Sequence, residues 1–225
     1  MFALLAFSLL ACLGGSAAKL HLDSNEVLTV DQLRCALENA SYVSFTGRVW
    51  QTHGQYDLNG MANIKNAKAA GYSTVDAAFH PCVGTADCTS AGNQIEATVN
   101  KLKTLGVDVD IMWIVVSGAD GTWSGRDLSR DFMNSLLMHA GMLGVKVGIR
   151  TDLESFESAF GREWDQLHNM PLWWEYDDGK QDFTSFTAFG GWKEPTRHKF
   201  ANGAVGLCGI KTSGLSWSHR FIGDQ

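Results

Sequence analysis

Ile111-Met112-Trp113-Ile114-Val115-Val116-Ser117-Gly118 is a short apolar run, rich in β-branched residues and closed by Ser-Gly. Such a run reads as a buried strand ending in a loop. Asp108 and Asp110 precede it, and the loop Gly118-Ala119-Asp120-Gly121 follows it. In parallel α/β proteins, chemistry gathers where the strands end. Here Val115 and Ser117 occupy that end, and neither is a strong acid or base.

Outward from this run, strands alternate with helices. Strands are expected at Leu20–Asp23, Tyr42–Trp50, Ser73–Phe79, Val107–Val116 and Val145–Ile149. Between them come helices that begin near Thr29 and at Asn59, Asn93 and Arg126. Thr29 suits an N-cap, and Gly71, Gly106 and Gly144 suit helix ends. The longest helix turns Phe132, Leu136, Leu137 and Ala140 inward. After a helix at Leu153–Phe160, Pro171–Trp174 and Val205–Ile210 read as strands without long helices between them. This alternation is the βα repeat of a parallel barrel or a doubly wound sheet, an α/β fold, and five βα units followed by extra strands fit an incomplete, irregular TIM-like barrel.

Residues 1–18 form a separate unit. An uncharged apolar core runs from Met1 to Leu13, and Ser16-Ala17-Ala18 offers small residues for cleavage. That pattern is a secretory signal peptide cut before Lys19, which makes the product secreted and extracellular. The core is shorter than the ~20 residues of a spanning helix, so no membrane is expected for the mature form. Residues 19–225 then make one domain, read as a monomer. The net charge of −6 argues against nucleic acid or an anionic membrane as partner.

Cleavage removes Cys12 and leaves Cys35, Cys82, Cys88 and Cys208. An even number in a secreted chain suggests two disulfides, with three pairings possible. The short loop between Cys82 and Cys88 favours their bond, which leaves Cys35 with Cys208. Closing that long loop stabilises by roughly 4–5 kcal/mol in the chain-entropy model. Asn39-Ala40-Ser41 is a glycosylation sequon at a helix end. Trp is abundant, with 8 in the chain, which suits core packing and carbohydrate platforms alike.

No phosphate-cradling glycine loop, Gly-x-Ser-x-Gly elbow, His-x-x-x-His pair or Cys-rich cluster is present. His80 and His198 therefore read as ordinary residues, and neither a metal nor a cofactor is expected. Carboxylates at strand exits remain. Asp23 would project from the first strand into a barrel mouth. Asp152 and Glu154 follow the strand at Val145–Ile149, with Asp152 also placed to cap a helix. Glu175, Asp177 and Asp178 follow Trp173-Trp174.

Several blocks resemble the family 25 lysozymes of invertebrate and amoebozoan type. They are Leu22-Asp23-Ser24, Gly47 through Asp57, Asn63 through Tyr72, Phe79-His80-Pro81-Cys82, Pro171 through Trp174, Phe189 through Pro195, and Leu207-Cys208-Gly209. The resemblance covers nearly the whole mature chain in order. It implies an irregular barrel that cleaves the muramic acid to glucosamine bond of peptidoglycan. Such lysozymes carry Trp-Leu-Asp-x-Glu-Gly on one strand. Two carboxylates two residues apart share a face, as acid and charge stabiliser.

Here the block reads Trp113-Ile114-Val115-Val116-Ser117-Gly118, with Val115 and Ser117 at the places of the acids. A further family carboxylate falls at Ser213-Gly214, and two site tyrosines fall at Ala78 and Arg150. Of the family's catalytic carboxylates, Asp23 is retained. Asp108 and Asp110 cannot substitute, because seven strand residues span roughly 23 Å. Asp120 and Glu175 are the possible replacement acids. Loss of a general acid costs about 10²–10⁴ in rate.

The resemblance thus implies a secreted lysozyme-like protein of defence against bacteria, binding peptidoglycan with hydrolysis lost or strongly reduced. Trp113, Trp174, Tyr176 and Asp177 would line its glycan groove. One alternative is an active muramidase with a relocated acid. Another is a structural or signalling protein whose mouth is plugged by side chains such as Arg150 and Phe79.

Overall fold

The computed structural model describes residues 19–39, 42–118, 123, 125–202, 207–212 and 214–218. Its strands are β1 (Lys19–Asp23), β2 (Tyr42–Gln51), β3 (Gln55–Tyr56), β4 (Thr74–Phe79), β5 (Met112–Val116), β6 (Val147–Thr151), β7 (Leu172–Glu175), β8 (Arg197–Ala201) and β9 (Gly214–Ser218). Its helices are α1 (Val30–Asn39), α2 (Leu58–Ala70), α3 (Ala91–Thr104), α4 (Arg126–Met142) and α5 (Leu153–Phe160).

Strands β1, β2 and β4 to β8 pair in parallel around a ring, and β9 closes it antiparallel between β8 and β1. The result is the closed, irregular α/β barrel that five βα units and extra strands imply. β3 lies outside the ring, as a hairpin partner of β2.

The period-2 alternation of strands sorts the side chains. Leu22, Phe45, Val75, Ala77, Phe79, Met112, Ile114, Val116, Ile149, Leu172 and Trp174 belong to one continuous apolar shell. The helices supply its other half through Ile64, Ile95, Met133, Leu136 and Phe156, among others. The second apolar cluster is small and consists of Ile111, Trp113 and Trp173. It lies on the opposite face of β5 and β7, inside the barrel.

Most of that interior is polar. His21 sits between the hydroxyls of Ser44 (2.5 Å) and Ser218 (2.7 Å). Asp76 accepts from Trp113 Nε1 at 3.1 Å and from Arg197 Nη2 at 2.8 Å. Arg197 lies over the rings of Trp113 and Trp173, at 4.9 and 4.6 Å. These contacts offset the cost of burying the charges. Burial raises the affinity of Asp76 for its proton and lowers that of Arg197.

Helix ends match their expected signals. Thr29 and Gln32 form a reciprocal capping box. Asp152 caps α5 by accepting from Ser155 N–H at 2.8 Å. Gly71 ends α2 in the left-handed region, with φ 104°. Both disulfides pair as the short-loop argument favours, Cys82 with Cys88 and Cys35 with Cys208.

Three expectations are corrected. The strand expected at Val107–Val116 begins only at Met112, because Asp110 turns aside to accept from Val75 N–H at 2.7 Å. Within the stretch Val205–Ile210 expected as a strand, the described residues Leu207–Gly209 form a 3-10 turn, with Cys208 at φ 70°; Val205 and Gly206 lie outside the described residues. On α4, Met133 is buried, while Phe132 and Leu137 are only partly so. Residues 1–18, Ala40, Ser41, Asp120 and Ser213 lie outside the described residues. Asn39 is exposed and donates its side-chain amide to Cys35 O at 3.1 Å.

Candidate functional site

Six of the inward-facing side chains at the C-terminal ends of the parallel strands meet in one cavity of about 410 Å³: Asp23, Arg48, Ala78, Val115, Arg150 and Glu175. Ser117, just past β5, reaches the same cavity, and so do Lys199 of β8 and His80 after β4. Each residue singled out as standing in a family site position therefore lies at the barrel mouth, where it is described. Val115 and Ser117 carry no charge there. The carboxylates lining the mouth, among the described residues, are Asp23 and Glu175.

Arg150 takes both. Its Nη1 donates to Asp23 Oδ2 at 2.7 Å and its Nε donates to Glu175 Oε1. The guanidinium lies over the Trp173 ring at 4.1 Å. Lys199 Nζ stands 3.6 Å from Glu175 Oε1. Burial alone would raise the Glu175 carboxyl, but Arg150 and Lys199 outweigh it and hold it at about 2. Burial lowers Arg150 in turn, and the charges of Glu175 and Asp23 more than restore it. Burial, with Arg150 and Arg48 nearby, brings His80 down to about 3. At neutral pH the mouth therefore contains an ionised Glu175 carboxylate, the charged Arg150 guanidinium and a neutral His80 imidazole. Glu175 is consequently not the proton donor that a relocated acid would have to be.

A second cavity, of about 630 Å³, adjoins the mouth and shares Glu175 with it. Leu153, Glu154 and Glu157 of α5 form one wall, and Trp174 and Tyr176 belong to another. Trp174 is turned to the helix-facing shell, stacked between Tyr176 (5.1 Å) and His198 (4.3 Å). Tyr176 is half exposed, so its ring is open to a ligand.

Other expected groove residues are placed elsewhere. Trp113 is fully buried inside the barrel, below Val115, and cannot touch a glycan. The two-residue spacing gives it the correct face but the wrong depth. Asp177 lines neither cavity and accepts from Asn202 at 2.9 Å. Phe79 stacks on Trp50 at 6.0 Å in the outer shell, so it does not plug the mouth. Lys199 is not singled out in the sequence, and His80, read there as an ordinary residue, lines the mouth. Lys199 lies on a strand whose alternation is charged rather than apolar, and it occupies the space beside Gly214, where a Cβ would meet its Cε at 2.4 Å.

A family model described as "Lysozyme-like protein 1" matches residues 15–200. "Lysozyme-like protein 5" of Caenorhabditis elegans is 30% identical over 203 residues, covering 90% of this chain and 93% of that one. "Probable GH family 25 lysozyme 5" of Dictyostelium discoideum is 33% identical over 172 residues, covering 76% and 77%. The modular autolysin LytC of Streptococcus pneumoniae, solved with a synthetic peptidoglycan ligand, superposes with a TM-score of 0.71 at 11% identity, over 89% of this chain and 46% of that one. The chain belongs to the lysozyme-like proteins of glycoside hydrolase family 25.

Proposed function

We propose that the protein is a secreted, monomeric, peptidoglycan-binding member of its family, acting in defence against bacteria, with hydrolysis lost or strongly reduced. One observation carries the loss of hydrolysis. Val115 and Ser117 line the mouth at the two positions that the resemblance gives to the acid pair, and Arg150 pairs with Asp23 and holds Glu175 ionised. Glycosidic cleavage needs one carboxyl that keeps a proton at working pH and a second that does not. Glu175 can supply only the second kind, and Asp23 is tied to Arg150 in an ion pair at 2.7 Å. An open mouth beside an aromatic-walled cleft supports retained glycan binding. The two disulfides and the apolar start of the chain support export. Binding wall material outside the cell is the basis of the defence role.

Retention on insoluble peptidoglycan, against a heat-denatured control, tests binding; equal retention of both would reject it. Clearing of bacterial wall suspensions tests hydrolysis, and the expected rate is that of buffer. Restoring the pair by Val115→Asp with Ser117→Glu should remain silent. Val115 is paired with Arg150 in the β5–β6 register, so a new carboxylate there is drawn into an ion pair with Arg150 and is not left to face the glycan. Adding Arg150→Tyr should release it and produce clearing. Clearing by the unmodified protein would overturn the loss of activity.

A further inference from the structure

The nitrogen atoms at the mouth are unequally used. Arg48 spends only Nε, on Asp57 Oδ2 at 2.6 Å, and its Nη1 and Nη2 have no hydrogen bond to the described residues. Arg150 spends Nε and Nη1, and its Nη2 has no such bond. Lys199 Nζ is 3.6 Å from Glu175, beyond hydrogen-bond length, and has no other partner among the described residues. Arg150 is only 6% exposed, so part of this donor set is built into the barrel and not draped over its rim.

Each balancing carboxylate is engaged through at least one oxygen. Asp57 gives Oδ1 to Gly60 N–H and Oδ2 to Arg48. Asp23 gives Oδ2 to Arg150, and Glu175 gives Oε1 to Arg150. Formal charges nearly cancel; the unspent cationic donors of Arg48, Arg150 and Lys199 outnumber the second oxygens of Asp23 and Glu175, of which Asp23 Oδ1 is buried without a hydrogen bond to the described residues. Ser117, Thr52 and Asn25 add neutral polar groups to the same cavity. A cavity of about 410 Å³ has room for a sugar ring. Planar guanidinium ends and an ammonium in so confined a space fit a carboxylate better than a neutral hydroxyl.

We propose that the mouth recognises a saccharide carrying a free carboxylate. This rests on the glycan-binding reading above and names the ligand's distinguishing group. In intact peptidoglycan the lactyl carboxyl of muramic acid is tied to the stem peptide as an amide. It becomes free when that amide is hydrolysed, which exposes a carboxylate and releases an amine. The preferred ligand is thus the product of an amide-hydrolysing reaction, a peptide-stripped glycan.

Titration of the whole chain at low salt tests this with four probes: N-acetylmuramic acid, its methyl ester, D-lactate and chitobiose. The acid is expected to bind about tenfold or more tighter than the ester, which has nearly the same shape without the charge. Arg48→Gln with Lys199→Met should reduce that preference to within about twofold. Lys199→Met alone, whose side chain keeps its length, should lower it partway, and a melting curve confirms that each variant is folded. Equal binding of acid and ester overturns the carboxylate claim. D-Lactate binding as tightly as the acid overturns the saccharide part and leaves a plain anion site. If no muramic probe binds but peptidoglycan or chitobiose is still retained, only this inference fails. If those are lost too, the glycan-binding reading fails with it.

Discussion

At position 150 a guanidinium rests on the Trp173 face and joins β1 to β7 through Asp23 and Glu175. The tie has an acid limit. The Glu175 carboxyl is held at about 2 against an ordinary 4.5, so its stabilisation is complete above 4.5 and disappears as pH falls towards 2. A shift of that size corresponds to about 3 kcal/mol. His80 is depressed from 6.5 to about 3, so it too withdraws stability as pH falls, starting higher, below 6.5. His21, buried between two serines, acts in the same direction. Glu175→Gln should therefore lose about 3 kcal/mol at pH 7 and decline less steeply than the wild type below pH 4.5, where only the histidines still act, while keeping the decline between 6.5 and 4.5. Denaturant melts across pH 7 to 3 measure both limbs. A variant that parallels the wild type throughout would mean that Arg150 does not hold this carboxylate.

Among the elements, α2 and β2 approach most closely. A Cβ on Gly60 would stand 1.8 Å from Arg48 O, and one on Gly47 would stand 2.6 Å from Gly60 O. Both obstacles are backbone atoms and cannot rotate away. Gly60→Ala must push α2 off the sheet at the residue whose side chain reaches the mouth. We expect a loss of about 3 kcal/mol in urea unfolding, with weakened ligand binding from the displacement of Arg48. An unchanged midpoint would show that α2 slides freely. The same elements explain what the sequence discloses. β2, β4, β5 and β6 are legible because their shell-facing residues are apolar against helices with clear caps. β8 and β9 escape notice. Their inward positions hold Arg197, Lys199, Ser216 and Ser218, so neither an apolar run nor a polar-outside alternation is visible. Val115 and Ser117 are legible as mouth residues because they share a face two residues apart. The Arg150 tie is not, since its partners lie 127 and 25 residues away and meet it only once the ring closes.

For the whole molecule, closure is the vulnerable step. β9 is the last described strand and completes the ring by pairing with the first one, Leu20 opposite Trp217. Among the described residues no α-helix connects β8 to β9 in the manner of the five βα units; the 3-10 turn Leu207–Gly209 lies between them. That turn is tied to α1 by Cys35–Cys208, with a sequence separation of 173. Cross-linking so long a loop removes unfolded-state entropy worth roughly 4–5 kcal/mol in the chain-entropy model. The short Cys82–Cys88 loop, with a separation of 6, restrains far less, roughly 2 kcal/mol. Replacing both Cys35 and Cys208 by Ser should therefore destabilise the protein by several kcal/mol, and the same change at Cys82 and Cys88 by much less. Because the long bridge anchors the segment before β9, its loss should raise hydrogen exchange first in β1 and β9, while β4 to β6 keep their protection. Exchange that rises uniformly around the ring would mean that the barrel opens as one unit and that the bridge does not guard its seam. If the seam does open first, Asp23 leaves Arg150 with β1, and the mouth should lose its ligand before the rest of the barrel unfolds.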